Sequence, residues 1–321
     1  MTEQDPIGRF ADLMFPYAAA RFADVKARDL KMAHYTTAAN AALILKNQSL
    51  WLRNAAVMND FSEVAYGNSC LHQALETGLG ARLNKAVDNV HVGLFKSVAE
   101  RLNNLDLHTR LHTYLTSFSA HDPQDYHGRL SMWRAYGGPT SGVAVIFNTE
   151  VFGHDSTQLG AYSSPVMYGG VNEYSKQLEQ VIVAIEQNRQ LFSQVPSENA
   201  AAIMFNAIQF SMLSTKHPAF EEEQEWRVIH HPLTEPTAFI MTRIESIGGI
   251  PQMVCEIPLR DQPGLEMPWL ALERLLYRVI IGPCVYPQQV AWGFREILRR
   301  LGVSNPDDRV VIADVPLRQR G

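Results

Sequence analysis

The stretch Phe220 to Ile229, FEEEQEWRVI, restricts this chain more than any other. Read as a β-strand, it alternates its side chains between two faces, with Glu223, Glu225 and Arg227 on one and Gln224, Trp226 and Val228 on the other. The second face needs an apolar core to cover it. The first holds like charges close together, which disfavours double ionisation unless water, a cation or a developing positive charge meets them. The plain alternative is a solvated acidic edge beginning at Glu221. Under either reading Glu221 and Glu222 are surface charge.

With 321 residues, 46% hydrophobic and 19% charged, the chain can bury a sizeable core. A formal net charge of -5 gives no global attraction for nucleic acid or an anionic membrane, so a polyanion partner would need a local basic groove. The first residues, MTEQDPIGRF, are acidic where an export signal is basic, and no apolar run approaches the ~18 residues of a bilayer helix. Cys70, Cys255 and Cys284 match neither a metal pattern nor a disulfide framework. They read as reduced, mostly buried thiols in a cytoplasmic protein.

Along the chain, apolar residues within Phe10 to Lys26 predict a docking helix within residues 1–30, kinked or started near Pro16. LKMAHYTT predicts a strand that ends at His34 and Tyr35, with Thr36 or Thr37 capping the helix AANAALILK. A second strand is predicted over 49–53, then a turn at Met58-Asn59-Asp60 and helices over 63–76 and 81–105. HTYLTSFSAHD alternates as a half-buried strand does, LSMWRAYGG predicts a short helix closed by Gly137 and Gly138, and GVAVIFN predicts a central strand. After AYSSPVMY come helices over 172–193 and 198–214. Further strands are predicted over 238–241, 253–259 and 277–281, a helix over 288–301 with Val290, Trp292, Phe294 and Leu298 in its apolar stripe, and a last strand in RVVIADV. This pattern predicts a single α+β domain over 1–321, with 63–105 and 172–214 as helical insertions or flanking layers.

No P-loop, GxGxxG, HExxH or GxSxG is present. The histidines at 121, 127, 230 and 231 lack metal-ligand spacing. What remains is a set of short polar and aromatic segments: His34-Tyr35-Thr36-Thr37, Ser117-Phe118-Ser119, Ser131 to Gly137, and Glu223 to Arg227. In the order HYTT, ILK, MNDFSE, SFS, SMWRAYGG with GVAVIF, HPAF-EEEQEWR and IIGP, from about Met32 to Pro283, the chain is similar to DUF2971, a bacterial and phage family of unknown function. It departs from that pattern at Ser62, where proline is expected.

The order of a histidine, then serine or aromatic, then Glu-x-Glu on successive strands also resembles the ADP-ribosyltransferase superfamily. That resemblance implies an ADP-ribosyltransferase-like split β-sheet around an NAD cleft. It implies that His34 binds a ribose, with Tyr35, Thr36 and Ser117 beside it, that Ser119 supports the site, that Glu225 is the catalytic carboxylate, and that Glu223 orients the acceptor. The ring stacking on nicotinamide is left open among Tyr35, Phe118, Trp133 and Tyr136. Arg134, Lys216 or Arg227 would pair with the pyrophosphate. The chemistry stands without the family: loss of nicotinamide leaves an oxocarbenium-like ribose that a fixed carboxylate stabilises. The expectation is an enzyme that cleaves NAD and passes ADP-ribose to a protein, nucleic acid or water, in a toxin or phage-defence setting. The alternative is a non-catalytic module that keeps the same cleft to sense a nucleotide or hold a protein.

Overall fold

The computed structural model describes residues 6–57, 61–103, 112–138, 141–153, 158–233 and 235–315. The expected turn at Met58-Asn59-Asp60 lies outside them. The strands, in chain order, are β1 (Lys31–Thr37), β2 (Ser49–Asn54), β3 (Tyr114–His121), β4 (Ser141–Phe147), β5 (Ala161–Pro165), β6 (Met167–Tyr168), β7 (Thr215–Lys216), β8 (Glu225–His230), β9 (Met241–Ile247), β10 (Ile250–Pro258), β11 (Leu276–Cys284) and β12 (Val310–Ile312). The fold is mixed α+β. Its contacts divide it into two compact units, one made of Met1–Ala23, Ala55–His112 and Ser164–Glu222, the other of Asp24–Asn54, Thr113–Ser163 and Glu223–Gly321.

The first unit is helical. Helices Phe61–Ala74, Gly80–Asp88, Leu94–Asn103, Val171–Gln187 and Ser197–Leu213 enclose a core that includes Leu71, Leu83, Val98, Ile182 and Met204. The chain does break at Pro16, into helices Pro6–Met14 and Pro16–Ala27, and Phe10 of the first docks on Phe192 with ring centroids 4.5 Å apart. The helix expected over 81–105 is two helices, because Gly93 takes φ +77 between them. Helices Phe61–Ala74 and Ser197–Leu213 approach so closely at Gly67 that an added Cβ would fall 2.1 Å from the Met212 carbonyl oxygen. Gly67→Ala is therefore expected to destabilise this unit by about 1–3 kcal/mol, as overpacking does. Urea unfolding followed by circular dichroism checks it, and an unchanged midpoint would refute the close-packing account.

The second unit carries a ten-stranded sheet in the order β12-β11-β4-β1-β3-β2-β10-β9, with β8 on β3 and β5 on β8. Pairing is antiparallel from β11 through β9 and between β3 and β8, and parallel between β11 and β12. The apolar run SGVAVIF makes β4 buried at every position, as a strand covered on both faces must be. Two sequence expectations shift here. The strand expected over 238–241 begins only at Met241, as β9, and most of its residues are exposed, Ile244 at 70%, so no apolar alternation marked it. Trp292, expected in the apolar stripe of helix Pro287–Arg300, is 68% exposed, while Ala291, Phe294 and Leu298 are buried.

Strand β3 sets up everything that follows. One of its edges pairs with β8 over the whole of Tyr114–Ser119. Its other edge is shared: β1 takes it at Ser119, Ala120 and His121, and β2 takes it at Tyr114 and Leu115. Between those pairings β1 and β3 part, just after Ala33.

Candidate functional site

Antiparallel partners share a face, so the register alone sorts the side chains around that parting. Ser119 stands opposite Ala33 on one side and Glu225 on the other, and Ser117 stands opposite Arg227. Ser117, Ser119, Glu225 and Arg227 therefore form one polar row. Phe118 pairs with Trp226 and Thr116 with Val228 on the reverse face. Trp226 is fully buried there.

The strand does not extend back to Glu223, and the expected sharing of one strand face by Glu223 and Glu225 is corrected. Pro218–Glu223 is a 3-10 turn, and Gln224 takes the left-handed conformation, φ 47, before β8 begins at Glu225. Such a backbone disfavours a side chain with a Cβ and persists when its surroundings fix it. Here they do: the Gln224 carbonyl accepts from the Ala120 N–H at 2.9 Å, and Arg129 donates Nη1 to the Glu223 carbonyl at 2.9 Å and Nη2 to the Ala120 carbonyl. Arg129 thus clamps the turn that launches Glu225. Nothing in the sequence marked it, since a single arginine before LSMW carries no motif.

Glu225 is 5% exposed and Arg227 1%. Arg227 donates Nε to Glu225 Oε1 at 2.9 Å and Nη2 to Oε2 at 3.2 Å, a two-pronged contact that fixes the carboxylate plane. Ser117 Oγ donates to the same Oε1 at 2.6 Å. Arg227 is thus the partner of Glu225 and is not free to pair with a pyrophosphate, which corrects that expectation. Ser119, 1% exposed, has an Oγ with no hydrogen-bond partner.

His34 stands where β1 leaves β3. Its Nδ1 lies 3.0 Å from the Ser117 carbonyl, which can only accept, so Nδ1 carries the proton and Nε2 keeps an acceptor lone pair. Desolvation lowers its pKa despite that hydrogen bond, which keeps the ring neutral near pH 7. The ring contacts Phe118, with centroids 5.6 Å apart. Next along β1, Thr37 caps helix Ala38–Asn47, accepting from the Asn40 N–H at 3.2 Å, and Asn40 reaches Thr36 Oγ1 at 3.3 Å. The expected cap is present, with Thr37 rather than Thr36 as the N-cap.

The remaining expected site residues lie elsewhere. Tyr35 and Trp133 are buried against each other edge-on at 4.8 Å, within an apolar cluster on the sheet. Tyr35 Oη accepts from the Arg129 N–H, and Trp133 Nε1 donates to the His127 carbonyl. A Cβ at Gly282 would stand 2.8 Å from Trp133 Cε3, so the IIGP segment keeps a glycine where the indole ring presses on the strand. These two rings pack the fold and present no face for nicotinamide. Arg134 and Tyr136 are exposed on helix Leu130–Tyr136. Lys216 is buried in the other unit, its Nζ 4.8 Å from the Phe220 ring centroid.

Among the described residues no group of three or more His, Cys, Asp or Glu is placed to hold a metal ion. Nor is any helix of the described residues long and apolar enough to cross a membrane. The three cysteines are free, Cys70 and Cys255 buried and Cys284 partly so.

Sequence comparison supports the family resemblance over the middle of the chain. Residues 132–228 match the model of DUF2971, a family described as protein of unknown function. The matched DUF2971 segment runs from Met132, beside the wedged Trp133, to Val228, and so takes in Glu225 and Arg227. His34, Ser117 and Ser119 lie outside it. No curated protein and no solved structure matches the chain.

Proposed function

We propose that the DUF2971 segment and the two strands beside it form an NAD-cleaving site that transfers ADP-ribose to a macromolecule or to water. The observation that supports this most is the polar row of Ser117, Ser119 and Glu225 beside the place where β1 and β3 part, with His34 at that parting on the Phe118 side of the sheet and bonded to the Ser117 carbonyl. A parting of that kind is what a split-sheet cleft requires. In this reading Nε2 of neutral His34 accepts from a ribose hydroxyl, and the ring in contact with it is Phe118. Glu225, held in one plane by Arg227 and Ser117, faces the positive charge that grows on the ribose as the bond to nicotinamide breaks. A carboxylate fixed before the reaction needs no reorganisation during it. Ser119, opposite Glu225 and with a hydroxyl that makes no hydrogen bond, would meet the ribose from the Glu225 face in this reading.

The test is nicotinamide release from NAD, with proteins and nucleic acids supplied as acceptors. Release is expected from the native chain, and to fall about tenfold or more in Glu225→Gln and in His34→Ala, each shown folded by its melting curve. No release from the native chain with any acceptor would end the enzymatic reading. The deep burial of Glu225 and Arg227 favours a second one, in which the pair is structural and the cleft only binds. NAD binding that survives in His34→Ala and Glu225→Gln, without turnover in the native chain, would select it.

A further inference from the structure

The helical unit has a pocket of its own, remote in kind from the polar row. Its volume is about 120 Å³, and every residue lining it belongs to that unit. The walls are Met14, Leu71, Leu178, Met204 and Phe210, with the turn around Pro16 at one side, and no Asp, Glu, Lys, Arg or His lines it. A charged ligand would lose its hydration there without a partner.

The polar atoms at the pocket fall into two groups. Tyr174 Oη and Ser211 Oγ bond each other at 2.5 Å, Ser211 also donates to the Ile208 carbonyl, and Thr215 donates to the Ser211 carbonyl. Burial pushes the Tyr174 phenol up to about 12, so it stays neutral, and these groups are occupied within the fold. Two atoms are not. Ser214, 3% exposed, has an Oγ without a hydrogen-bond partner, and the buried Oε1 of Gln177 has none either. Buried polar atoms normally find partners, and an apolar pocket whose lining includes an unmet acceptor and an unmet hydroxyl is matched by a ligand that has an N–H or O–H on an apolar body.

We infer that this pocket binds a small neutral aromatic molecule of about indole or phenol size, with its N–H or O–H on Gln177 Oε1 and Ser214 Oγ. The size follows from the volume, since an apolar cavity of about 150 Å³ holds a benzene ring. This inference is independent of the NAD reading and concerns different residues.

The experiment titrates the full chain with indole, phenol and toluene, by calorimetry and by ligand-observed NMR. Indole and phenol are expected to bind saturably at one site and to raise the melting temperature, with toluene about five- to tenfold weaker for want of the hydrogen bond. Ser214→Ala is expected to weaken indole by a similar factor and to leave toluene unchanged. Ala207→Leu, which fills the pocket wall, should abolish all three while the circular dichroism spectrum is kept. If that variant fails to fold, Ser214→Ala against the three probes still decides. Absence of saturable binding by all three probes, or binding that Ser214→Ala leaves unaltered for indole and phenol, would overturn the inference.

Discussion

Arg227→Met is expected to lower stability by about 3–5 kcal/mol, because it leaves the Glu225 carboxylate buried without its cation. Methionine matches much of the arginine stem in length, so lost packing is the smaller part. Lost are the two donors at 2.9 and 3.2 Å, and only Ser117 among the contacts described remains to meet a charge that burial disfavours. The carboxyl of the variant should then take up a proton at a higher pH than in the native chain, and its stability deficit should shrink as pH falls. A second variant separates pair from site. Glu225→Leu with Arg227→Met removes both charges, and replacing a buried ion pair by apolar side chains is commonly neutral or stabilising, so most of the loss should return. On the proposed NAD-cleaving reading, the double variant would be folded and would release no nicotinamide. Urea unfolding of the native chain, both single variants and the double variant gives the cycle. A double variant as unstable as Arg227→Met would mean that Arg227 acts through contacts other than Glu225.

The sequence pattern is legible over one part of this strand and misleading over the other. The two-residue period placed Trp226 and Val228 on one face and Glu225 and Arg227 on the other, and the register has them so. The same period, run backwards, wrongly put Glu223 beside Glu225. What stops the strand is the left-handed Gln224, held by Ala120 and Arg129 from residues about a hundred positions earlier in the chain, and local pattern has no access to such contacts. Thr37 was legible because a cap acts on the residues that follow it. The central strand was legible in GVAVIF because burial on both faces demands a continuous apolar run. Strand β9 was not, because its exposed residues carry no period. Trp133 was visible as a large ring in a short helix, but whether it met a ligand or glycines depended on Gly282, well over a hundred residues away. The tautomer of His34 likewise follows from the Ser117 carbonyl at the parting of β1 and β3, and its neutrality from burial.

Acidification between pH 6.5 and 4 is expected to remove on the order of 3 kcal/mol through His231, coupled to His230. Burial, and secondarily the neighbouring His230, lowers its pKa from 6.5 to about 4, and the side chain is 5% exposed. The sign follows from proton uptake. Below 6.5 the unfolded chain binds a proton on this imidazole while the folded chain does not, so stability falls with pH until the folded group also protonates near 4. Burial lowers His34, His121 and His230 as well, so the four histidines act in one direction. Carboxylates such as Glu273 and Glu296, whose pKa values are lowered from 4.5, add to the loss only below that value, which leaves the upper part of the window to histidine. The observable is the urea midpoint at pH 7, 5.5 and 4.5. His231→Phe keeps a planar ring in the site but forfeits the contact with Thr113 Oγ1 at 3.2 Å, so it should start lower at pH 7 and decline more gently. Parallel declines in the native chain and His231→Phe would show that the acid sensitivity arises elsewhere.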